Sequence, residues 1–181
     1  LDRIELYRPQ WFTYAQPEAT TKYVIPQTLD QHAVVFHIKF KPLFLLHLLS
    51  TIQYSKILIF VQTNKVADRL FRFLRLSNVA PVGIYAKGIE HVNTKKLDQV
   101  LTAFKKGSLR ALVCSDSMSR GMDLDVDCVI NYDMPEYIKT YIHRIGRTAR
   151  AGKTGVSFTF VRGEQVAALK NKFSKIEGKP L

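Results

Sequence analysis

Residues 137–155 read YIKTYIHRIGRTARAGKTG, and their spacing predicts one amphipathic helix that runs into a glycine-bounded turn. Apolar residues recur there at steps of four, three and four, on one face that can pack against a sheet; they are Ile138, Ile142, Ile145 and Ala149. The opposite side is basic and carries His143, Arg144, Arg147 and Arg150. Like charges that neighbour each other on a helix cost about 0.2–0.5 kcal/mol per pair. Residues 137–152 contain no Asp or Glu that could neutralise this basic face, so we expect an anionic ligand opposite it.

Arginine is suited to phosphate because its planar guanidinium stays charged and matches two oxygens at once. In phosphoryl transfer such a group stabilises the transition state and can be worth roughly 10³ to 10⁵ in rate. The plain alternative is a solvated basic face, or arginines that pair with acids elsewhere in the chain. The charge pattern by itself leaves both interpretations open.

The segment HRIGRTAR, residues 143–150, resembles the HRxGRxxR signature called motif VI in superfamily 2 helicases, with all five fixed positions present. With its flanks, YIHRIGRTARAGKTG, it is most similar to the DEAD-box RNA helicases. The resemblance implies that Arg147 and Arg150 contact the phosphates of ATP, with Arg150 as the arginine finger. It also implies that His143 and Arg144 lie at the seam with a second domain and couple the ATP state to RNA binding.

Composition is compatible with this resemblance. The chain has 181 residues, 46% of them hydrophobic, which suffices for one domain with a core. Lys plus Arg of 27 against Asp plus Glu of 15 gives a net charge of +12, which favours a polyanionic partner. No apolar run approaches the roughly 20 residues of a membrane span, so we expect a soluble protein without a membrane partner. Cys114 and Cys128 lie in apolar runs and are predicted to be buried thiols, without a disulfide or metal site.

Alternating elements predict the fold class. Residues 1–32 contain Pro9, Pro17 and Pro26 and are expected to form an extended lead-in or interdomain segment, followed by a single domain over 33–181. Apolar runs predict strands at 56–62, 82–86, 109–115, 128–132 and 155–161. Helices of ten to fifteen residues between them indicate an α/β protein with a parallel sheet covered on both faces. Thr63 and Asn64 are the expected caps of the helix that follows residues 56–62, and Thr94 is the expected N-cap of the helix before Gly107.

The loop SDSMSRGMDLD, residues 115–125, follows a predicted strand. Small residues let backbone amides approach phosphate, and hydroxyls donate to it, although an ordinary turn has the same composition. The loop resembles helicase motif V, which implies that Ser115 and Gly121 contact the RNA backbone. On the same resemblance Arg120 contacts RNA and couples it to ATP, and Asp123 binds the ATP ribose. ILIFVQT, residues 57–63, resembles motif IV, which places Thr63 near RNA.

The chain departs from the family pattern in one helix. The helix before FKKG usually carries a Gln and an Arg that contact RNA, and their places fall on Thr94 and Leu97. Lys95 and Lys96 supply charge there but not an arginine fork. The segment GKTG, 152–155, is not a Walker A motif, because Arg147 stands where the pattern requires glycine. These 181 residues also contain no Asp-Glu-Ala-Asp box.

The resemblance covers residues 32–161 and implies the second RecA-like domain of an ATP-dependent RNA helicase, in which a parallel sheet is sandwiched by helices. The cofactor implied is ATP with Mg²⁺, held mainly by a first RecA-like domain that would be the intramolecular partner. The chain begins at Leu1 without a methionine, so we expect part of a longer enzyme that is inactive alone. LDRIELYRPQ, residues 1–10, and the helix from Thr94 resemble a yeast-type DEAD-box protein of early large ribosomal subunit assembly. That resemblance implies pre-rRNA, ribosome-assembly proteins, and a location in the nucleus and nucleolus.

Two other functions remain open from the sequence. One is a superfamily 2 DNA translocase, which the RNA-helicase wording of motif VI disfavours. The other is a non-catalytic RNA-binding or assembly platform, suggested by Thr94 and Leu97 and opposed by the intact Arg147, Arg150 and Asp123.

Overall fold

Apolar runs of four to eight residues form a parallel sheet at the centre of the structure. The computed structural model describes residues 23–36, 38–89, 93–116, 124–173 and 176–177. The strands are β1 (Tyr23–Val24), β2 (Leu29–Phe36), β3 (Ile57–Val61), β4 (Val82–Tyr85), β5 (Ala111–Ser115), β6 (Cys128–Asn131), β7 (Gly155–Arg162) and β8 (Ile176–Glu177). The α-helices are α1 (Lys41–Thr51), α2 (Asn64–Ser77), α3 (Thr94–Lys105), α4 (Ile138–Ile145) and α5 (Val166–Phe173).

Six strands pair in the order β2-β7-β6-β3-β5-β4, and every neighbouring pair is parallel. A separate parallel pair joins β1 to β8. Strands β3 and β5 are buried along their whole length, as parallel strands covered on both faces must be. On one face Ile57, Ile59 and Val61 pack with buried residues of α1 and α2. On the other face Leu58 and Phe60 pack with α3, which confirms the predicted sheet between helices.

Strand β2 is a sixth strand that the sequence did not predict. It begins at Leu29, inside the predicted lead-in, and lies at the edge of the sheet beside β7. Three consecutive polar residues interrupt its apolar pattern, so it does not read as a strand. Asp30 and His32 point to solvent, while Gln31 is buried and accepts a hydrogen bond of 2.7 Å from the hydroxyl of Tyr141. Residues 1–22 of the predicted lead-in lie outside the described residues.

Helix α4 is shorter than its periodicity predicts. It ends at Ile145, where the N–H of Gly146 still donates to the carbonyl of Ile142 at 2.8 Å. Beyond it Ala149 has a φ of 55°, which is outside the helical range. The single helix through Arg150 is therefore a wrong prediction. The loop before β6 accounts for the change, because it supplies backbone partners to the residues after Gly146.

Two predicted helix caps have different outcomes. The hydroxyl of Thr63 accepts from the N–H of Val66 at 3.3 Å and caps α2, as predicted. The cap of α3 is Asn93, whose side chain accepts from the N–H of Lys96 at 2.9 Å, so the prediction of Thr94 is wrong by one residue. Among the described helices none is long and apolar enough to cross a membrane.

Gly155 at the start of β7 provides a test of this packing. A Cβ at this position would stand 2.5 Å from the backbone nitrogen of Ala149 and would also overlap the hydroxyl of Thr148. We expect Gly155→Ala to lower the free energy of unfolding by about 1–3 kcal/mol, the usual cost of overpacking. Urea unfolding followed by circular dichroism measures it.

Gly163→Ala is the matched control, because nothing lies within 4 Å of a Cβ there. Its free energy of unfolding should stay within about 0.5 kcal/mol of the unsubstituted chain. An equal effect of the two substitutions would contradict the close approach at Gly155.

Candidate functional site

A buried arginine joins the ends of two strands. Arg144 lies in the last turn of α4 and is 1% exposed. Its Nε and Nη2 donate to the two carboxylate oxygens of Asp116 at 2.6 and 2.7 Å. Its Nη1 donates to the carbonyl of Asp133 at 2.6 Å and to the side-chain oxygen of Asn131 at 3.3 Å. The guanidinium also lies 5.2 Å from the ring centroid of Phe60, so one side chain connects β3, β5 and β6.

This position corrects the expected basic face of α4. Arg144 points into the domain, where its charge is paired with Asp116, the residue directly after β5. The coupling role of Arg144 stays a prediction. His143 is exposed, and its coupling role stays a prediction. Three residues with predicted roles in the loop lie outside the described residues: Arg120, Gly121 and Asp123.

Arg147 and Arg150 lie on the arginine turn, residues 146–150, which follows α4. The N–H of Arg147 donates to the carbonyl of Arg144 at 3.2 Å, and its own carbonyl accepts from Val126 at 3.0 Å. The Nε of Arg150 donates to the carbonyl of Gly146 at 2.6 Å. Both arginines are half-buried on a turn that is attached near the start of β6. Two guanidinium groups with no carboxylate among residues 146–150 form a donor set that fits phosphate.

Polar side chains gather at the carboxyl ends of β3, β4 and β5. Ser115 is 2% exposed, and its hydroxyl donates to the side-chain oxygen of Asn64 at 2.6 Å. The amide of Asn64 donates to the carbonyl of Lys87 at 2.6 Å. Thr63 is exposed beside them. The structure thus brings the predicted RNA contacts Thr63 and Ser115 together, away from the arginine turn near the amino ends of β6 and β7.

Asn64 is a site residue that the sequence analysis recognised only as a possible cap. Its side-chain amide connects the carboxyl ends of all three strands. The sequence signal for this role was its position directly after Thr63, at the carboxyl end of a buried parallel strand, where ligand-binding loops gather.

Burial sets the protonation of several groups near the site. It raises the pKa of the Cys114 thiol far above the ordinary value, although Arg144 opposes the shift. Cys114 and Cys128 are free and buried, as predicted. Burial, helped by Asp133, also raises the pKa of Tyr132 to about 12. The Nζ of Lys41 pairs with Asp133 and lies 4.1 Å from the Tyr132 ring centroid. Within the described ranges no cluster of three metal-ligating side chains occurs.

Helix α3 shows where the unusual residues point. Leu97 is 4% exposed and packs in the interior, so it cannot contact a ligand at the surface. Thr94, Lys95 and Lys96 are exposed in the first turn. This turn therefore offers ammonium groups and a hydroxyl, without a guanidinium.

Known proteins share both the sequence pattern and the fold. Residues 40–152 match the family described as helicase conserved C-terminal domain. The chain is 35% identical over 168 residues to the ATP-dependent RNA helicase DDX51 of Danio rerio, which is 89% of this chain and 25% of that protein. It is 36% identical over 180 residues to DEAD-box ATP-dependent RNA helicase 1 of Oryza sativa subsp. japonica, covering 98% of this chain and 33% of that protein. A third relative is the ATP-dependent RNA helicase dbp6 of Schizosaccharomyces pombe. It is 37% identical over 147 residues, which is 78% of this chain and 24% of that protein. The chain spans about a quarter to a third of the length of these relatives.

Solved structures give the same assignment. The C-terminal domain of the DEAD-box protein Dbp5 superposes with a TM-score of 0.71 at 28% identity, over 84% of this chain and 89% of that one. Dbp5 of S. cerevisiae bound to RNA and ADP BeF3 superposes with a TM-score of 0.69 at 29% identity, over 86% of this chain and 42% of that one. The predicted RecA-like fold is confirmed.

The Arg144–Asp116 pair predicts a large effect on stability. Asp116→Ala should lower the free energy of unfolding by about 3 kcal/mol or more, because it leaves a buried guanidinium without its carboxylate. The measurement is chemical denaturation of the 181-residue chain.

Asp125→Ala is the control at the other end of the same loop. It removes an ion pair to Lys153 whose side chains are 67% exposed for Lys153 and 40% for Asp125, and such pairs contribute less than about 1 kcal/mol. A cost for Asp116→Ala as small as that of the control would show that the buried pair does not hold the loop after β5 to α4.

Proposed function

Because the chain belongs to the helicase conserved C-terminal domain family, as the second RecA-like domain of a DEAD-box RNA helicase, we propose that it completes the ATP site and the RNA site of a longer protein. Each site would be formed together with a first RecA-like domain. The product of this cooperation is local, ATP-driven separation of short RNA duplexes.

One observation carries the proposal: the buried Arg144–Asp116 pair. It attaches the start of the loop that resembles motif V to the helix that precedes the arginine turn. The loop expected to contact RNA and the turn expected to contact ATP are therefore held by one side chain. A movement at one of these surfaces is transmitted to the other through the packed, hydrogen-bonded Arg144–Asp116 pair.

On the ATP side, Arg147 and Arg150 contact the terminal phosphates, and Arg150 acts as the arginine finger. The absence of carboxylates from residues 146–150 supports this role, because no acid within the turn neutralises the two guanidinium groups. Asp123 binds the ribose. ATP with Mg²⁺ supplies the phosphoryl group that is transferred to water, and the metal is held mainly by the first domain.

On the RNA side, Thr63, Ser115, Arg120 and Gly121 contact the sugar–phosphate backbone. Thr63 is exposed and can donate its hydroxyl directly, whereas Ser115 is buried and donates to Asn64. Ser115 therefore has to exchange its bond to Asn64 for one to RNA. The similar S. cerevisiae Dbp5 structure contains RNA together with ADP BeF3, which supports simultaneous occupation of both surfaces.

The two ligands act through domain closure. ATP and single-stranded RNA bind across the cleft and favour the closed state, which brings Arg150 to the γ-phosphate. Closure bends one RNA strand, and hydrolysis reopens the cleft. ATP is then a switch ligand with a higher affinity for the closed state than for the open one.

The cellular role we propose is ribosome biogenesis, with pre-rRNA as substrate, ribosome-assembly proteins as partners and the nucleolus as location. It rests on the resemblance of residues 1–10 and of the helix from Thr94 to a helicase of early large-subunit assembly. The net charge of +12 is compatible with an RNA substrate.

A non-catalytic RNA-binding or assembly platform is the second candidate. One observation favours it: the interior position of Leu97, where the family usually presents a charged RNA contact. Such a protein would keep the fold and bind RNA but would not need Arg150.

The deciding measurement is the ATPase rate of the longer parent protein with and without RNA. We expect RNA to stimulate turnover and Arg150→Ala to lower kcat by about 10³-fold or more, because the finger stabilises the transition state. RNA affinity should change little. The 181-residue chain alone should show no RNA-stimulated turnover.

Arg69→Ala, which removes an exposed arginine from α2, is the control and should leave kcat unchanged. Full turnover in Arg150→Ala would refute the finger. Absence of turnover in the unsubstituted parent, with RNA binding retained, would favour the platform.

A further inference from the structure

A groove lies beside the β4 edge of the sheet, between α2 and α3. Among the described strands, β4 pairs only with β5, so its other side faces this groove. The cavity has a volume of about 710 Å³. Apolar side chains from both helices and from the residues around β4 line it, chiefly Phe71, Ile84, Ile89, Val100 and Leu109. Most of them are only half-buried, so apolar surface remains open to a ligand.

Gly83 allows the floor of the groove to pack closely. A Cβ on Gly83 would stand 2.7 Å from Leu109 and 2.9 Å from Val100, so these two side chains occupy the space that a larger residue would fill. The groove is therefore bounded by a tightly packed apolar wall. A bound apolar side chain would gain about 25 cal/mol for each Å² that it removes from water.

The rim of the groove is basic. Arg72, Arg75 and Lys96 are exposed along it, against one acid, Asp68. Asp68 already pairs with Arg72, one helical turn away, at 3.0 Å. Among the described lining residues, three cations stand against one carboxylate, a surplus of +2 that is complementary to an acidic ligand.

We propose that this groove is a docking site for an acidic peptide segment of a partner protein. Large apolar side chains of the segment fill the cavity over Ile84 and Val100, and its carboxylates meet the cations of the rim. The apolar lining favours protein over RNA. The guanidinium of Arg75 lies 6.0 Å from the ring centroid of Phe71, so it covers a face on which a base would have to stack.

The groove is separate from the arginine turn. Three strands, β5, β3 and β6, stand between β4 and β7, so the arginine turn beside β7 is about 19 Å away across the sheet, at about 4.8 Å per strand. A partner bound in the groove therefore leaves Arg147 and Arg150 accessible. This inference stands independently of the helicase activity.

The experiment uses the 181-residue chain and a display library of random peptides of about twelve residues, a length that spans such a groove. Three variants accompany the unsubstituted chain. Ala103→Phe fills the cavity, because Ala103 lines it from α3. Arg75→Glu/Lys96→Glu reverses two exposed rim charges and avoids the core. Lys105→Glu/Lys170→Glu makes the same change of net charge at exposed positions outside the groove.

We expect selected peptides to combine at least two acidic residues with large apolar residues. Fluorescence anisotropy should show binding at least about tenfold weaker to Ala103→Phe and to Arg75→Glu/Lys96→Glu. The Lys105→Glu/Lys170→Glu control should bind within about twofold of the unsubstituted chain.

Four results would overturn the proposal. The first two are selection of peptides without acids, and binding to the filled and reversed variants that is as tight as binding to the unsubstituted chain. The other two are displacement of the peptide by a short RNA and no selection above background. Concentration-dependent self-association that Ala103→Phe abolishes would assign the groove to a second copy of the chain instead. Unfolding midpoints of the variants separate loss of binding from loss of fold.

Discussion

The burial of one positive charge organises this domain. A guanidinium with 1% exposure is tolerated only if its N–H groups find acceptors, because an unpaired buried charge costs several kcal/mol. Arg144 meets the condition with a carboxylate, an amide oxygen and a backbone carbonyl, which come from the ends of two strands. Asn131 in turn donates to Thr159 in β7 at 3.1 Å. These bonds fix the position of the last turn of α4 over the sheet. They also fix the position of the arginine turn, because it follows α4 directly.

Sequence pattern was sufficient for the buried strands and insufficient for the edge strand β2. Strands β3 and β5 are apolar on both faces because helices cover both faces of the sheet. Each strand is therefore a continuous apolar run that can be recognised from the sequence alone. Strand β2 is an edge strand with solvent on one side, and its one buried polar residue, Gln31, is satisfied by Tyr141 from a distant helix. Helical periodicity continues to Ala149, but the helix ends earlier, where the N–H of Val126 donates to the carbonyl of Arg147 and the hydroxyl of Thr148 donates to the carbonyl of Asp127. Only the folded chain supplies those partners.

The candidate site shows the same limit. Motif resemblance identified Arg147 and Arg150 by residue type and spacing, and the structure places both on one turn. The motif resemblance could not reveal that Arg144, in the same run of basic residues, faces inward, because its partner Asp116 is 28 positions away. The resemblance also could not predict the hydrogen bond between Asn64 and Ser115, which are 51 positions apart. Contacts of this kind depend on the order of strands in the sheet, which no local pattern encodes.

The small pairing of β1 with β8 has a consequence for how this domain can be built into larger proteins. Tyr23 lies opposite Ile176, so the chain enters and leaves the described domain at nearly one point. Adjacent termini are the geometry that tolerates insertion into a host loop or circular permutation. Segments attached at both sides would also share a small volume, which raises their effective concentration for each other without any contact to the sheet. A two-residue strand pair thus acts as a common anchor for whatever precedes and follows the domain.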